Sequence, residues 1–206
     1  MNMSKKSCSN YTKPTVSKAI HQSIDNNNVI SKKYSNKNTS IFLIGMMGAG
    51  KSTVGRCLAQ YIGKKFVDLD SEIEIACGVN IPVIFEIEGE DGFRKRETDI
   101  LQKISLEKNI VLATGGGAVL AEDNRHLLTS GGIVVYLQAN IDVLFKRVSV
   151  DQNRPLLAIK DPYVKIKELL EIRDPIYHEI ADIVIDTSSY NAADIAKELC
   201  LILQKI

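Results

Sequence analysis

Eight residues, Gly45-Met46-Met47-Gly48-Ala49-Gly50-Lys51-Ser52, match the pattern G-x-x-x-x-G-K-[ST] and constrain the fold more than any other stretch of the chain. The pattern is that of a phosphate-binding P-loop. Polyphosphate needs many donors in a small space. Glycines at 45, 48 and 50 let successive backbone N–H groups curl around it without a Cβ in the way. Lys51 can reach the terminal phosphates, and the Ser52 hydroxyl is placed to ligate Mg²⁺.

The flanks supply the context that the motif requires. Ile41-Phe42-Leu43-Ile44 is a short apolar run that reads as a buried strand. After the loop, Val54, Leu58, Ala59 and Ile62 recur at helical spacing. A helix here points its positive end at a bound anion. A plain glycine-rich turn would not need strand, loop and helix in this order. From residue 41 onward the alternation continues. Strands are expected at 41–44, 65–69, 110–113, 133–137 and 183–185. Helices are expected at 51–62, 81–105, 122–130, 140–149, 162–180 and 191–205. Apolar strands alternating with helices indicate a three-layer α/β domain with a parallel sheet covered on both faces. Ligands in such folds bind beyond the carboxyl ends of the strands.

The chain has 206 residues, 45% of them hydrophobic, enough for one domain with a sizeable core. The organisation expected is an extension over 1–40 followed by a single domain over 41–206. Residues 1–40 hold seven lysines and one acid, a local charge of +6, which leaves −5 on the rest. The extension is rich in Ser, Asn and Lys and poor in large apolar groups, so disorder is expected there. It has no apolar core of a secretory signal. It is Ser-rich and acid-poor, as organellar transit peptides are, but contains no Arg. Cytoplasmic residence is expected, with organelle targeting through 1–40 as the alternative. The acidic body offers no electrostatic case for nucleic acid. No apolar run approaches the roughly 20 residues that span a bilayer, so no membrane partner is expected. Four scattered cysteines (8, 57, 77, 200) and three scattered histidines suggest no metal site of their own and suit a reducing compartment.

The chemistry-bearing residues cluster after predicted strands. Asp68 and Asp70 close the run Lys65-Phe66-Val67-Asp68-Leu69-Asp70. Residues two apart in a strand share a face, which would turn both carboxylates to the P-loop rim. One could hold Mg²⁺, directly or through water, and the other accept the proton of a substrate hydroxyl. The competing reading is a helix start, because Ser71-Glu72-Ile73-Glu74 resembles a capping box. Gly115-Gly116-Gly117 follows another strand and can bring backbone N–H groups close to an anion. The chain uses 19 Lys and only 7 Arg. Where Lys is the default cation, a retained Arg marks a need for its planar fork. Arg94 and Arg173 are candidates for gripping a carboxylate. Arg154, in a polar stretch between two helices, suits a mobile lid over about 149–161 that closes over a transferring phosphoryl group. Arg56, Arg96 and Arg125 are expected to be solvated surface charges.

Together these residues resemble the shikimate kinase family. The matches are Gly45–Thr53 with Val54-Gly55-Arg56, Asp68-Leu69-Asp70, Phe85 with Glu88-Gly89-Glu90 and Phe93-Arg94, and Glu97. They continue with Thr114-Gly115-Gly116-Gly117, Val134-Val135-Tyr136-Leu137, Arg154-Pro155-Leu156-Leu157, and Arg173-Asp174-Pro175 with Tyr177. The resemblance runs unbroken from about residue 41 to the C-terminus. It implies a fold similar to the nucleoside monophosphate kinases, with a five-stranded parallel sheet in order 2-3-1-4-5, flanking helices and a lid. It implies transfer of the ATP γ-phosphoryl group to the 3-hydroxyl of shikimate, on the route to chorismate and the aromatic amino acids, in a monomer. Carried over, Asp70 would orient and deprotonate the hydroxyl, with Lys51 and Arg154 on the phosphates. Gly48, Ala49, Gly50, Lys51, Ser52 and Thr53 would hold ATP, and Arg147 would lie against adenine. Arg94, Arg173, Glu97, Gly116 and Gly117 would bind shikimate, with Phe85, Phe93 and Pro155 as walls. Ser52 and Asp68 would support Mg²⁺.

Three departures stand beside these matches. The 40-residue leader has no counterpart in the compact family pattern. The loop after Ile185-Asp186 reads Thr187-Ser188-Ser189-Tyr190, which leaves its adenine contacts open. No acid ends the strand at 110–113, so Asp68 is the nearest carboxylate for a metal. Among other readings, a gluconate or nucleotide kinase would share the P-loop. A GTPase-like switch would carry N-K-x-D, which is missing from the sequence. A catalytically dead binding protein would not need Lys51, Asp70, Arg94, Arg154 and Arg173 together.

Overall fold

Strands buried on both faces should be near-continuously apolar, and the three inner strands of the sheet are. The structure is a computed structural model that describes residues 38–149 and 161–205. The strands are β1 (Ser40–Ile44), β2 (Lys65–Asp68), β3 (Ile110–Ala113), β4 (Gly132–Gln138) and β5 (Ile183–Asp186). They form one five-stranded sheet in the order β2-β3-β1-β4-β5, with every neighbouring pair parallel. All five residues of β1 and all four of β3 are buried. Fully burying such an aliphatic or aromatic side chain contributes about 1.5–3 kcal/mol relative to leaving it exposed.

The helices are α1 (Lys51–Ile62), α2 (Leu69–Cys77), α3 (Ile81–Ser105), α4 (Glu122–Gly131), α5 (Ile141–Val148), α6 (Pro162–Ile180) and α7 (Ala192–Lys205). Local chemistry explains their starts. Asn80, Asn140 and Asp161 each accept a hydrogen bond from the backbone N–H three residues on, at the heads of α3, α5 and α6. Pro82 and Pro162 sit in first turns, where a missing N–H removes no helical bond. Among the described residues no helix is long and apolar enough to cross a membrane.

The register puts the carboxyl ends of the strands side by side. Ile44 of β1 lies opposite Tyr136 of β4, Asp68 of β2 opposite Ala113 of β3, and Gln138 of β4 opposite Asp186 of β5. The P-loop, the start of α2, the glycine run and the loop after β5 therefore leave the sheet along one rim.

Three expectations are corrected. Residues 65–69 do not form one strand. β2 stops at Asp68, and Leu69, fully buried, begins α2. Asp68 and Asp70 are thus joined by a strand-to-helix corner, and strand alternation does not relate them. A helix does start here, but ahead of the capping box expected at Ser71–Glu74: Asp68 occupies the cap position without a side-chain capping bond, Ser71 lies inside α2, and Glu74 accepts from Ile81 N. Residues 81–105 are helical but not continuous, because Gly89 has φ 69° and ψ −173°. Two of the three arginines expected in solvent have fixed partners. Arg125 donates to the carbonyls of Val119 and Leu120, which end a 3₁₀ turn, and Arg96 pairs with Glu88. Arg56, exposed, lies over the Phe66 ring. Expectations for residues 1–37 and for lid residues 150–160, Arg154 and Pro155 included, fall outside the described residues.

Candidate functional site

Two cavities open on the rim and share Met47, Asp70 and Gly116. The first, of about 500 Å³, follows the P-loop from Met47 to Val54 and extends past Arg147 and Thr187 to Tyr190 and Asn191. The second, of about 280 Å³, is walled by Phe85, Phe93, Arg94, Glu97, Arg173 and the glycine run. Ligand pockets commonly span roughly 300–1,000 Å³. The first falls within that range, and the second, just below it, has room for a smaller molecule.

The P-loop backbone takes the form that its glycines permit. Gly45, Gly48 and Gly50 all have positive φ. Lys51 is buried, and its Nζ donates to the carbonyls of Gly45 at 2.8 Å and Met46 at 2.9 Å. The Ser52 hydroxyl donates to Asp68 Oδ2 at 2.5 Å, so the two hard oxygen ligands expected for a cation lie together. Thr53, Gly48, Ala49 and Gly50 line the same cavity. Arg147 is tied to the loop beyond β5, donating to Thr187 O at 2.8 Å and to Gly48 O at 3.2 Å. Thr187 is fully buried and donates to Ala49 O at 3.1 Å, which fastens β5 to the P-loop.

Side chains build the second cavity. Arg94 Nη1 donates to Glu97 Oε2 at 2.7 Å and Nη2 to Glu90 Oε1 at 3.0 Å. The Phe85 and Phe93 rings lie 4.8 Å apart, side by side. The glycine run is bare for a steric reason. A Cβ on Gly117 would fall 2.5 Å from the Arg94 guanidinium carbon, and one on Gly115 would fall 2.5 Å from Glu97 Oε1. Thr114 pins the start of the run by donating to Leu43 O at 3.1 Å. Tyr177 pins its middle, with its hydroxyl donating to Gly116 O at 2.5 Å.

The electrostatics favour an anion. Arg173 is only 2% exposed and forms no salt bridge with a carboxylate among the described residues. Burial pulls its guanidinium below the ordinary arginine value. The Tyr177 hydroxyl opposes that shift, and the nearby Arg94 adds to it. Burial also pushes Glu97 above the ordinary carboxylate value, with Arg94 pulling it back and Asp70 adding to the rise. On Arg94 burial acts downward, but Glu97 and Glu90 outweigh it and the net shift is upward. Two buried polar atoms here, Arg94 Nε and Glu97 Oε1, have no hydrogen-bond partner among the described residues. Two convergent guanidinium groups with unspent donors match a bidentate anionic group such as a carboxylate.

Most expected site residues thus fall around one pair of cavities. Arg154 and Pro155 lie outside the described residues. Sequence reasoning gave no role to Thr187, Tyr177, Met47 or Glu74. Tyr177 stands among the family matches and lies four residues after Arg173, on the same face of α6, and Thr187 lies in the loop whose contacts were left open.

Comparison with known proteins agrees with this architecture. A family model described as shikimate kinase matches residues 47–204. A curated relative named shikimate kinase, from Bordetella pertussis (strain Tohama I), is 56% identical over 164 residues, which cover 80% of this chain and 78% of the relative. A solved structure of shikimate kinase from Acinetobacter baumannii in complex with shikimate superposes with a TM-score of 0.79. It is 48% identical, and the match covers 82% of this chain and 94% of that one. The crystal structure of shikimate kinase from Aquifex aeolicus gives a TM-score of 0.71 at 37% identity, over 80% and 96% of the two chains.

Proposed function

This chain belongs to the shikimate kinase family, and from that premise we propose how its two cavities transfer the γ-phosphoryl group of ATP to the 3-hydroxyl of shikimate. The products are ADP and shikimate 3-phosphate, on the route to chorismate and aromatic amino acids.

The P-loop cavity holds the nucleotide. Backbone N–H groups from Gly48 to Thr53 cradle the phosphates, and Lys51 exchanges its two carbonyl partners for phosphate oxygens. Arg147, held by Gly48 and Thr187, supports adenine. Ser52 and Asp68 present the oxygen ligands that Mg²⁺ prefers. When bound, that ion supplies charge neutralisation on the phosphates. Arg154, from the lid segment, adds a further positive charge there.

The arginine cavity holds shikimate. Arg94 and Arg173 grip its carboxylate, and Glu97 orients Arg94 by accepting from Nη1. Phe85, Phe93 and Pro155 wall the ring, and Gly116 and Gly117 contribute backbone contacts. Asp70 lines both cavities, and this single observation carries the reading. From there it accepts the hydroxyl proton as oxygen attacks the γ-phosphorus in line. Phosphoryl transfer of this kind depends on positioning and charge stabilisation more than on covalent chemistry. The chain is proposed to act as a monomer.

A coupled ADP-release assay tests the proposal. ADP release is expected with shikimate and not with gluconate or a nucleoside monophosphate. Turnover of either alternative without turnover of shikimate would overturn it.

A further inference from the structure

Helix α3 is one run in sequence but two rods in space. At Gly89 the backbone leaves the helical region, with φ 69° and ψ −173°. Only glycine adopts that combination routinely. Residues 81–88 carry Phe85, whereas residues 90–105 carry Phe93, Arg94 and Glu97.

Glu88 reaches across the break. Its carboxylate accepts from Arg96 Nε at 2.8 Å and from Arg96 Nη2 at 2.5 Å. In a regular helix, residues eight apart lie about 12 Å along the axis, so this pair exists only because of the break. The space beneath the fold-back is kept by Gly92, where a Cβ would fall 2.4 Å from Glu88 Cβ. Arg96 Nη1 also lies 3.6 Å from Cys77 Sγ, at the end of α2. The first turn of α2 carries Asp70. Three rods that wall the small cavity therefore meet at one guanidinium.

Neither Glu88 nor Arg96 lines either of the two cavities on the rim. Their side chains are 33% and 42% exposed. Exposed ion pairs ordinarily contribute little, but a bidentate Arg–carboxylate fork is the geometry in which they matter. The fork constrains an angle. It fixes the rod bearing Phe85 against the rod bearing Phe93 and Arg94.

We propose that the Glu88–Arg96 pair is a positioning clasp that sets the shape of the acceptor cavity and so governs affinity for the acceptor, without touching it. The proposal rests on the reading of that cavity as the shikimate site. The two are positioning residues, and their loss acts on one substrate only.

Steady-state kinetics on the full chain, varying shikimate and ATP separately, tests this. Arg96→Ala is expected to raise the shikimate KM by about fivefold, with kcat and the ATP KM within about twofold of the parent. Arg96→Lys keeps the charge but loses the fork and should fall between. Glu88→Gln is nearly isosteric and carries the test if Arg96→Ala does not fold. The double variant Glu88→Gln/Arg96→Ala should be no worse than the worse single one, because both remove the same interaction. A shikimate KM within twofold of the parent, an equal rise in both KM values, or additive losses in the double variant would overturn the clasp. A parent chain with no turnover of shikimate would instead sink the functional reading on which the clasp depends.

Discussion

The P-loop cavity and the arginine cavity share Met47, Asp70 and Gly116, yet they are built by different means. The first has one end made largely of backbone, the stretch from Met47 to Val54 shaped by positive-φ glycines, and is completed by Arg147 and the residues beyond β5. The second is largely side chain, drawn from α2, α3, the glycine run and α6. A backbone cradle suits any polyphosphate. A cavity of placed guanidinium groups and rings selects one acceptor. The phosphate-cradle end of the first cavity is thus local in the chain, whereas the second depends on how distant helices pack.

Substitutions can break this contrast, and the largest effect is expected where the cavities meet. Asp70→Asn should lower turnover by about 10²–10⁴-fold, the usual worth of a positioned base, while ATP binding persists. Near-normal turnover would remove Asp70 from the reaction. Next comes Gly117→Ala, which forces the Arg94 guanidinium to move. Losing hydrogen bonds to a charged group should raise the shikimate KM by roughly one to two orders of magnitude and leave the ATP KM unchanged. A matching rise for ATP would show that the cavities are not independently built.

Tyr177→Phe should be milder. Its hydroxyl bonds Gly116 O and lies near Arg173. One hydrogen bond is worth about 0.5–1.5 kcal/mol, so a rise of about two- to tenfold in the shikimate KM is expected. An unchanged KM would mean that the glycine run holds its place without this tether.

The smallest effect concerns Glu97. Burial raises its carboxyl above the usual value, so the folded chain binds that proton more readily than the unfolded chain. The associated stability is complete below the ordinary carboxylate value and is lost as pH rises through the raised folded value. Melting temperatures of the parent and of Glu97→Gln, measured from about pH 4 to about pH 7, should therefore diverge, with the parent losing ground as pH rises. Parallel curves would contradict the burial argument.

Legibility in the sequence follows the same division. The P-loop and its helix α1 are local, and residues 51–62 are helical as their spacing predicts. Strand β3 and helix α6 also have the predicted bounds. Errors arise where tertiary packing decides. Period-2 logic placed Asp68 and Asp70 on one strand face, but the buried Leu69 opens α2 between them. Helical spacing over 81–105 did not reveal the break at Gly89, because a lone glycine within a helical pattern is tolerated and only the backbone angles it adopts mark the break. Arg96 looked like surface charge, since its partner Glu88 lies eight positions away and is reached only through that break. Thr187 stood only within a loop whose contacts were left open. Its role as a tether to Ala49 exists only once β5 is laid beside β4.

Lys51 has a consequence for the protein at rest. Its ammonium is solvated by its own chain, at Gly45 and Met46, so no bare charge is stranded inside when nucleotide is absent. On the proposed reading, arrival of a phosphate would swap neutral oxygens for ionic ones. The grip on nucleotide would then be set by that exchange and not by the full strength of the new contacts. Stripping all nucleotide during purification should accordingly leave the chain folded and ready for another cycle.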